Sequence, residues 1–177
     1  LDNSITYLKR GQIPNFMRAF FNTYAMSIYP DIQCFAESVS FGMGGGPLYK
    51  TPDECKFIQW MRQMLVLEMD GDLYIGRGVP RAWMADGKCV ILREAPTYFG
   101  PMDMQIVSET SANRIRAELN LPTRNPAKSV HLSFRHPDGK KFKSVEVNGQ
   151  PWKDADPTTE AVTLPGTTGK VTVVAIY

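Results

Sequence analysis

The hydrophobic period of the chain changes at Met69, and that change splits the folding problem in two. Upstream, Ile13, Phe16, Met17, Phe20, Phe21, Tyr24, Ala25 and Ile28 follow the i, i+3, i+4, i+7 spacing of a helix with one apolar face. A short helix over 4–9 precedes it and stops at Gly11, a residue that tolerates the left-handed geometry after a helix end. The sequence TPDE then opens a second long helix, with Thr51 as cap, Pro52 at the first helical position and Glu54 placed to close a capping box. Cys55, Phe57, Ile58, Met61, Met64, Leu65 and Leu67 or Glu68 give that helix a broad apolar stripe, which predicts that it is the more enclosed of the two.

Downstream the apolar residues alternate, between turn signals at Asp70-Gly71, Asp86-Gly87, Pro137-Asp138-Gly139, Asn148-Gly149 and Pro165-Gly166. Strands are expected over 72–76, 88–93, 103–108, 114–120, 129–135, 143–147, 161–164 and 170–176, with a helical turn over 79–84. Closely spaced strands of this kind predict an antiparallel β-sandwich. The fold class is therefore α+β, with a helical segment over 1–69 and a β-sandwich over 70–177. Two or three helices with such wide apolar faces cannot bury themselves alone. Either they lie on the sandwich or further helices precede Leu1.

Composition narrows the function classes. A balance of 20 Lys+Arg against 18 Asp+Glu argues against a nucleic-acid groove, and no apolar run reaches the roughly 20 residues of a membrane span. Cys34, Cys55 and Cys89 are dispersed without a CxxC pair, and with two histidines in the chain they do not predict a zinc site. They read as buried free thiols, with at most one disulfide among them. No GxxxxGK[ST] loop and no strand-GxGxxG context is present, so no cofactor is expected. The start at LDNSITYLKRGQIPNF has neither initiator Met nor signal peptide, and reads as a processed chain or a piece of a longer protein.

The order YLKRGQIPNFMRAFFNTYA, FAESVS, GGGPLYKTPDE, FIQWMRQMLVLEMDGDLYIGRGVPRAWMADGK, APTYFGPM and LSFRHPDGKKFKSVEVNGQPW resembles the C-terminal portion of large bacterial glycoside-hydrolase-like proteins. In those proteins an (α/α)6 toroid is followed by a β-sandwich. The resemblance implies that 12–29 and 52–68 are the last helix pair of the ring, that 30–51 is a loop facing the substrate funnel, and that the second helix is an inner one. It further implies an exported protein, periplasmic or extracellular, with carbohydrate and the preceding helical portion as partners. A glycosidase needs two carboxylates, of which this segment supplies at most one, so alone it is expected to be inactive.

Glu37 is the candidate for that carboxylate, as general acid or base, or else as a group that binds sugar hydroxyls or ties the loop to a backbone N–H. Gly44, Gly45 and Gly46 either turn the chain or let its backbone approach a ligand. Tyr49 and Lys50 are candidate sugar contacts, the aromatic for a ring face and the cation for an anionic group. Trp83 offers a stacking platform or a plug at the junction of helices and sandwich; Trp152 offers the best exposed aromatic of the sandwich, and Tyr98 a further one. His131 and His136 have no evident triad partners and read as structural. Asp154 and Asp156 form a solvated turn or hold a cation. A reading from a different class is a non-catalytic glycan-binding or purely structural β-sandwich module.

Overall fold

The computed structural model describes residues 3–40, 43–47 and 51–177. The fold is α+β with mostly antiparallel sheets, in two compact units, Leu1–Met64 and Leu65–Tyr177.

In the first unit α1 (Asn3–Lys9) ends where the Gln12 N–H returns to the Tyr7 carbonyl at 2.8 Å and Gly11 takes φ +73°. Only a residue without a Cβ takes that conformation at no cost. The helix α2 (Ile13–Ser27) has Pro14 in its first turn and buries Ile13, Phe16 and Phe20. Two small hairpins follow, β1 (Ile28–Tyr29) with β2 (Cys34–Phe35) and β3 (Ser38–Ser40) with β4 (Met43–Gly45), before α3 (Pro52–Leu65). The described residues of the stretch between these helices thus include two hairpins.

The structure departs from the sequence-based expectation at the end of α3 and at the cysteines. The helix stops at Leu65, and Val66–Met69 is a strand, because the apolar pair Val66 and Leu67 continues the helical stripe yet serves equally as a buried strand start. As expected, fewer of its positions are exposed than those of α2, with Trp60 and Met64 buried, although Ile58 is 66% exposed. Cys55 and Ile58 each lie about 200° round the helix from Phe57 and Trp60 respectively, so the face that buries its rings turns them outward. The thiols are not buried. Cys55 and Cys89 are exposed and Cys34 is intermediate, all three unpaired, and Cys89 is outward because its neighbour Val90 takes the inward position of an alternating strand.

The second unit holds two sheets. One has five strands in the order β13 (Ala155–Asp156), β14 (Ala161–Pro165), β10 (Ser129–Ser133), β6 (Asp72–Ile75) and β5 (Val66–Met69). The other has six, in the order β12 (Gln150–Trp152), β11 (Ser144–Val147), β15 (Gly169–Ile176), β9 (Arg114–Leu121), β8 (Met102–Glu109) and β7 (Cys89–Ala95). All eight expected strands are present, and the helical turn appears as a 3-10 helix over Arg81–Met84. The pairing is not wholly antiparallel, since β6 and β10 run parallel with Leu73 beside Val130 and Ile75 beside Leu132.

Alternation decides the core. In β8, Met102, Met104, Ile106 and Ser108 are buried while Asp103, Gln105, Val107 and Glu109 are not. The inward residues of both sheets join one cluster, with Leu73, Ile75, Leu132 and Val162 from the five-stranded sheet and Ile106, Ile115, Leu119 and Val173 from the six-stranded one. Among the described residues no helix is long and apolar enough to cross a membrane.

Candidate functional site

The first unit encloses a cavity of about 330 Å³, lined by residues of α2, the hairpins and α3. Helical spacing builds its walls: Phe20 and Tyr24 are four apart on α2, and Asp53, Phe57 and Lys56, Trp60 form two i, i+4 pairs on α3. Phe57 stands at the centre, with ring centroids 5.8 Å from Phe20, 5.4 Å from Tyr24 and 5.0 Å from Phe35. Trp60 completes the cluster 6.1 Å from Phe20. Such offset and tilted ring pairs contribute about 0.5–1.5 kcal/mol each beyond the area they bury.

Two ties hold the hairpins against the helices. The Ala36 N–H donates to the Ser27 carbonyl at 2.7 Å, and the Phe35 N–H donates to Glu54 Oε1 at 3.0 Å. The carboxylate expected to cap its own helix therefore also anchors the loop, 19 residues away in sequence. Glu37 lines the cavity from the position after Ala36 and is exposed. The glycine run acts in its placement. A Cβ at Gly46, where φ is +94°, would come within 2.6 Å of Glu37 Cβ and 2.7 Å of its Oε2. A Cβ at Gly44 would meet Tyr29 Oη at 2.7 Å. The absent side chains leave room for Tyr29 and Glu37, an approach of chain to chain.

The cavity thus combines aromatic faces, the carboxyl groups of Glu37 and Asp53, and the ammonium of Lys56. Trp60 lies at the back of this lining: the residue is 5% exposed, and its buried indole N–H has no hydrogen-bond partner among the described residues. The arrangement fits a ligand apolar on one face and rich in polar groups at its edge. Among the described residues no group of three or more His, Cys, Asp or Glu side chains is placed to hold a metal ion.

The other sequence-derived candidates lie apart from one another. Tyr49 and Lys50 fall outside the described residues. Trp83 sits on the 3-10 helix and is exposed. Trp152 is half-buried rather than exposed: it packs against the core of the second unit, and its indole N–H donates to the Thr163 carbonyl at 3.0 Å. Tyr98 is 84% exposed in the turn between β7 and β8. Asp156 accepts from the Thr158 N–H at 2.7 Å and the Thr159 hydroxyl at 2.9 Å, contacts that hold its carboxyl below the usual range and close a turn.

Two polar clusters of the second unit were not evident from sequence. Glu160, 6% exposed, accepts two bonds of 2.8 Å from Arg81 and one of 2.7 Å from Arg135. Burial pushes the Arg135 guanidinium below its ordinary value, with Arg81 nearby acting in the same direction. Beside them His136 packs on Tyr177 at 4.5 Å and accepts the Asp138 N–H on Nδ1 at 3.1 Å; burial lowers its pKa. The second cluster sets His131 Nε2 3.0 Å from Asp72 Oδ2, Nδ1 3.4 Å from the Thr163 hydroxyl, and its ring 4.6 Å from Tyr74. His131 therefore has partners, drawn from neighbouring strands whose pairing the sequence does not announce.

No protein-family model and no curated protein matches the sequence. The solved structures that are similar in part include the following three. A glycoside hydrolase is 12% identical over 96% of this chain and 29% of its own, with a TM-score of 0.45. A cycloalternan-forming enzyme from Listeria monocytogenes, in complex with a pentasaccharide substrate, is 10% identical over 59% of this chain and 10% of its own, at 0.38. A GH127 β-L-arabinofuranosidase from Geobacillus stearothermophilus T6 is 12% identical over 71% and 18%, at 0.34. The chain spans 10 to 29% of the length of these three proteins, and likenesses this slight carry no argument about its chemistry.

Proposed function

We propose that the chain is the C-terminal segment of an exported carbohydrate-active, glycoside-hydrolase-like protein, with the helices up to Leu65 as the last of an α/α toroid and the strands from Val66 on as a β-sandwich. The aromatic cavity beside Glu37 carries this reading. A pyranose or furanose ring presents C–H groups on its face and hydroxyls round its edge. The rings of Tyr24, Phe35 and Phe57 match the face, while Glu37, Asp53 and Lys56 match the edge.

The apolar residues Phe21, Met26, Ile32 and Ile58, exposed in the first unit, support a second element of the reading. They are the surface on which the preceding helical portion of the protein would pack. Glu37 then acts as one member of a carboxylate pair, donating or withdrawing a proton at the scissile bond, and the other member lies on that preceding portion. This segment alone binds and supports; it does not turn over.

Replacing Glu37 by Gln in the full-length protein tests the catalytic role. General acid–base catalysis contributes on the order of 10²–10⁴ in rate, so turnover of a cleaved glycan falls by about a hundredfold or more. Unchanged turnover would reduce Glu37 to a loop residue.

A further inference from the structure

The outer face of the six-stranded sheet carries a concavity of about 300 Å³ with a different chemistry. It is lined by Arg93 of β7, Asp103 and Gln105 of β8, Glu118 and Asn120 of β9, and Lys170 and Thr172 of β15. Strand register sets these in two rows. Asp103 lies beside Asn120 and Asn120 beside Lys170; Gln105 lies beside Glu118 and Glu118 beside Thr172. All point away from the core, because their sequence neighbours Met104, Leu119, Val171 and Val173 are buried.

The edge strand β7 adds a bulge to this face, as edge strands commonly do, and here it bears on the polar residues beside it. The pairing of β7 with β8 shifts between Leu92 and Ala95, and within that bulge Glu94 takes φ +49°, a left-handed conformation that costs a non-glycine residue about 1 kcal/mol or more. The bulge delivers the Glu94 N–H to Asp103 Oδ1 at 2.8 Å. Asn120 Nδ2 donates to Asp103 Oδ2 at 3.2 Å, and Arg93 donates to Gln105 Oε1 at 3.3 Å. These exposed contacts orient Asp103, Asn120 and Gln105 toward their neighbours, and Glu118 is paired with Arg116 of its own strand. The backbone contact from Glu94, and then Asn120, hold the Asp103 carboxyl below its usual range, so it remains an acceptor.

The lining carries two cationic and two anionic side chains and no aromatic ring. A phosphate or sulfate would meet as much repulsion as attraction there, and a flat apolar molecule would find no face to stack on. A molecule whose surface is hydroxyl groups suits it, since pre-oriented amides, carboxylates and a guanidinium engage adjacent hydroxyls pairwise. We propose that this groove is a carbohydrate-contact site separate from the Glu37 cavity, taking a neutral oligosaccharide edge-on through hydrogen bonds to its hydroxyls.

The test is a titration of the 15N-labelled chain with cellohexaose, xylohexaose, maltohexaose and α-1,5-arabinohexaose, with a heparin-derived hexasaccharide as charged control. At least one neutral hexasaccharide is expected to give saturable amide shifts over residues 103–105, 118–120 and 170–172. The Asp103→Ala/Asn120→Ala variant weakens that binding by about tenfold, the loss of roughly one or two net hydrogen bonds. The Asn120→Asp variant, which sets a second carboxylate beside Asp103 without removing volume, weakens it similarly and covers the case that the alanine pair misfolds. No saturable shift in the groove with any neutral sugar, binding of the heparin fragment alone, or unchanged affinity in a folded variant would overturn the proposal. Shifts confined to residues 20–60 would sink it while leaving the Glu37 cavity reading intact, and shifts confined to the groove would do the reverse.

Discussion

The two units solve the burial problem differently. The second closes more nearly on itself: two sheets turn their alternating apolar residues inward on one cluster, outward positions such as Asp103, Gln105, Glu118, Asn120 and Lys170 are polar, and Trp83, Ile91 and Tyr98 are its exposed large apolar residues. The first does not. Its helices bury Phe16, Phe20, Trp60 and Met64, yet leave Phe21, Met26, Ile32 and Ile58 in solvent and a ring-lined cavity open beside Glu37. A sheet presents two faces and can give one wholly to water, whereas a helix with an apolar stripe wider than one neighbour covers needs another. The contrast separates residues that exist for folding from residues available for a partner or ligand.

Substitutions should reproduce that division, the strongest effects falling where the second unit is closed. Phe134→Ala removes one of its largest fully buried side chains, and a loss of about 4 kcal/mol is expected by urea unfolding. A loss below about 1 kcal/mol would show that the cluster is loosely packed. Glu160→Ala strands Arg135, whose side chain is 13% exposed, and is expected to cost about 3 kcal/mol, reduced from the fully buried case because Arg81 reaches water.

A pH effect follows from His136, whose native pKa burial lowers from 6.5, so that the unfolded chain binds the proton more readily. Its contribution is complete above about pH 6.5 and is lost as the pH falls from there through the depressed native value. Thermal midpoints should drop between pH 7 and 5, and His136→Gln should flatten that slope. An equal drop in the variant would assign the effect elsewhere.

In the first unit the effects become local. Gly46→Ala forces a Cβ onto Glu37 and is strained at φ +94°, so it should cost about 1–2 kcal/mol and weaken ligand binding in the cavity. Ile58→Ser, at a side chain 66% exposed, should change the stability of the isolated chain by less than about 0.5 kcal/mol. The proposed cover by a preceding helical portion predicts that in the full-length protein the same change destabilises by at least about 1 kcal/mol; an effect as small as in the isolated chain would contradict that cover.

How much could be read in advance follows the range of each interaction. The eight strands and the helix start at Pro52 were legible, because alternation, turn dipeptides and caps act over a few residues. The parallel pairing of β6 with β10 was not, since nothing local says which strand lies beside which. Val66 and Leu67 were read as helix for the same reason: two apolar residues fit either period. Glu37 stood out as a carboxylate in a loop poor in charge, whereas Phe57 was absorbed into a helical stripe that passed over Lys56 and Trp60, and Asp53 into the helix start; they become a cavity wall only when the hairpins fold against them. The Glu160 cluster joins Arg81 to a carboxylate 79 residues away, a distance at which sequence carries no signal.

The proposed completion of the first unit by a preceding helical portion is tested most directly by amide hydrogen exchange over α2 and α3, in this chain and in the full-length protein. The account predicts that amides near Phe21, Met26 and Ile58 exchange at least about tenfold more slowly in the full-length protein, while those of β8, β9 and β15 are unchanged. Equal exchange of α2 and α3 in the two forms would contradict it, leaving those apolar side chains a surface the protein keeps open to solvent.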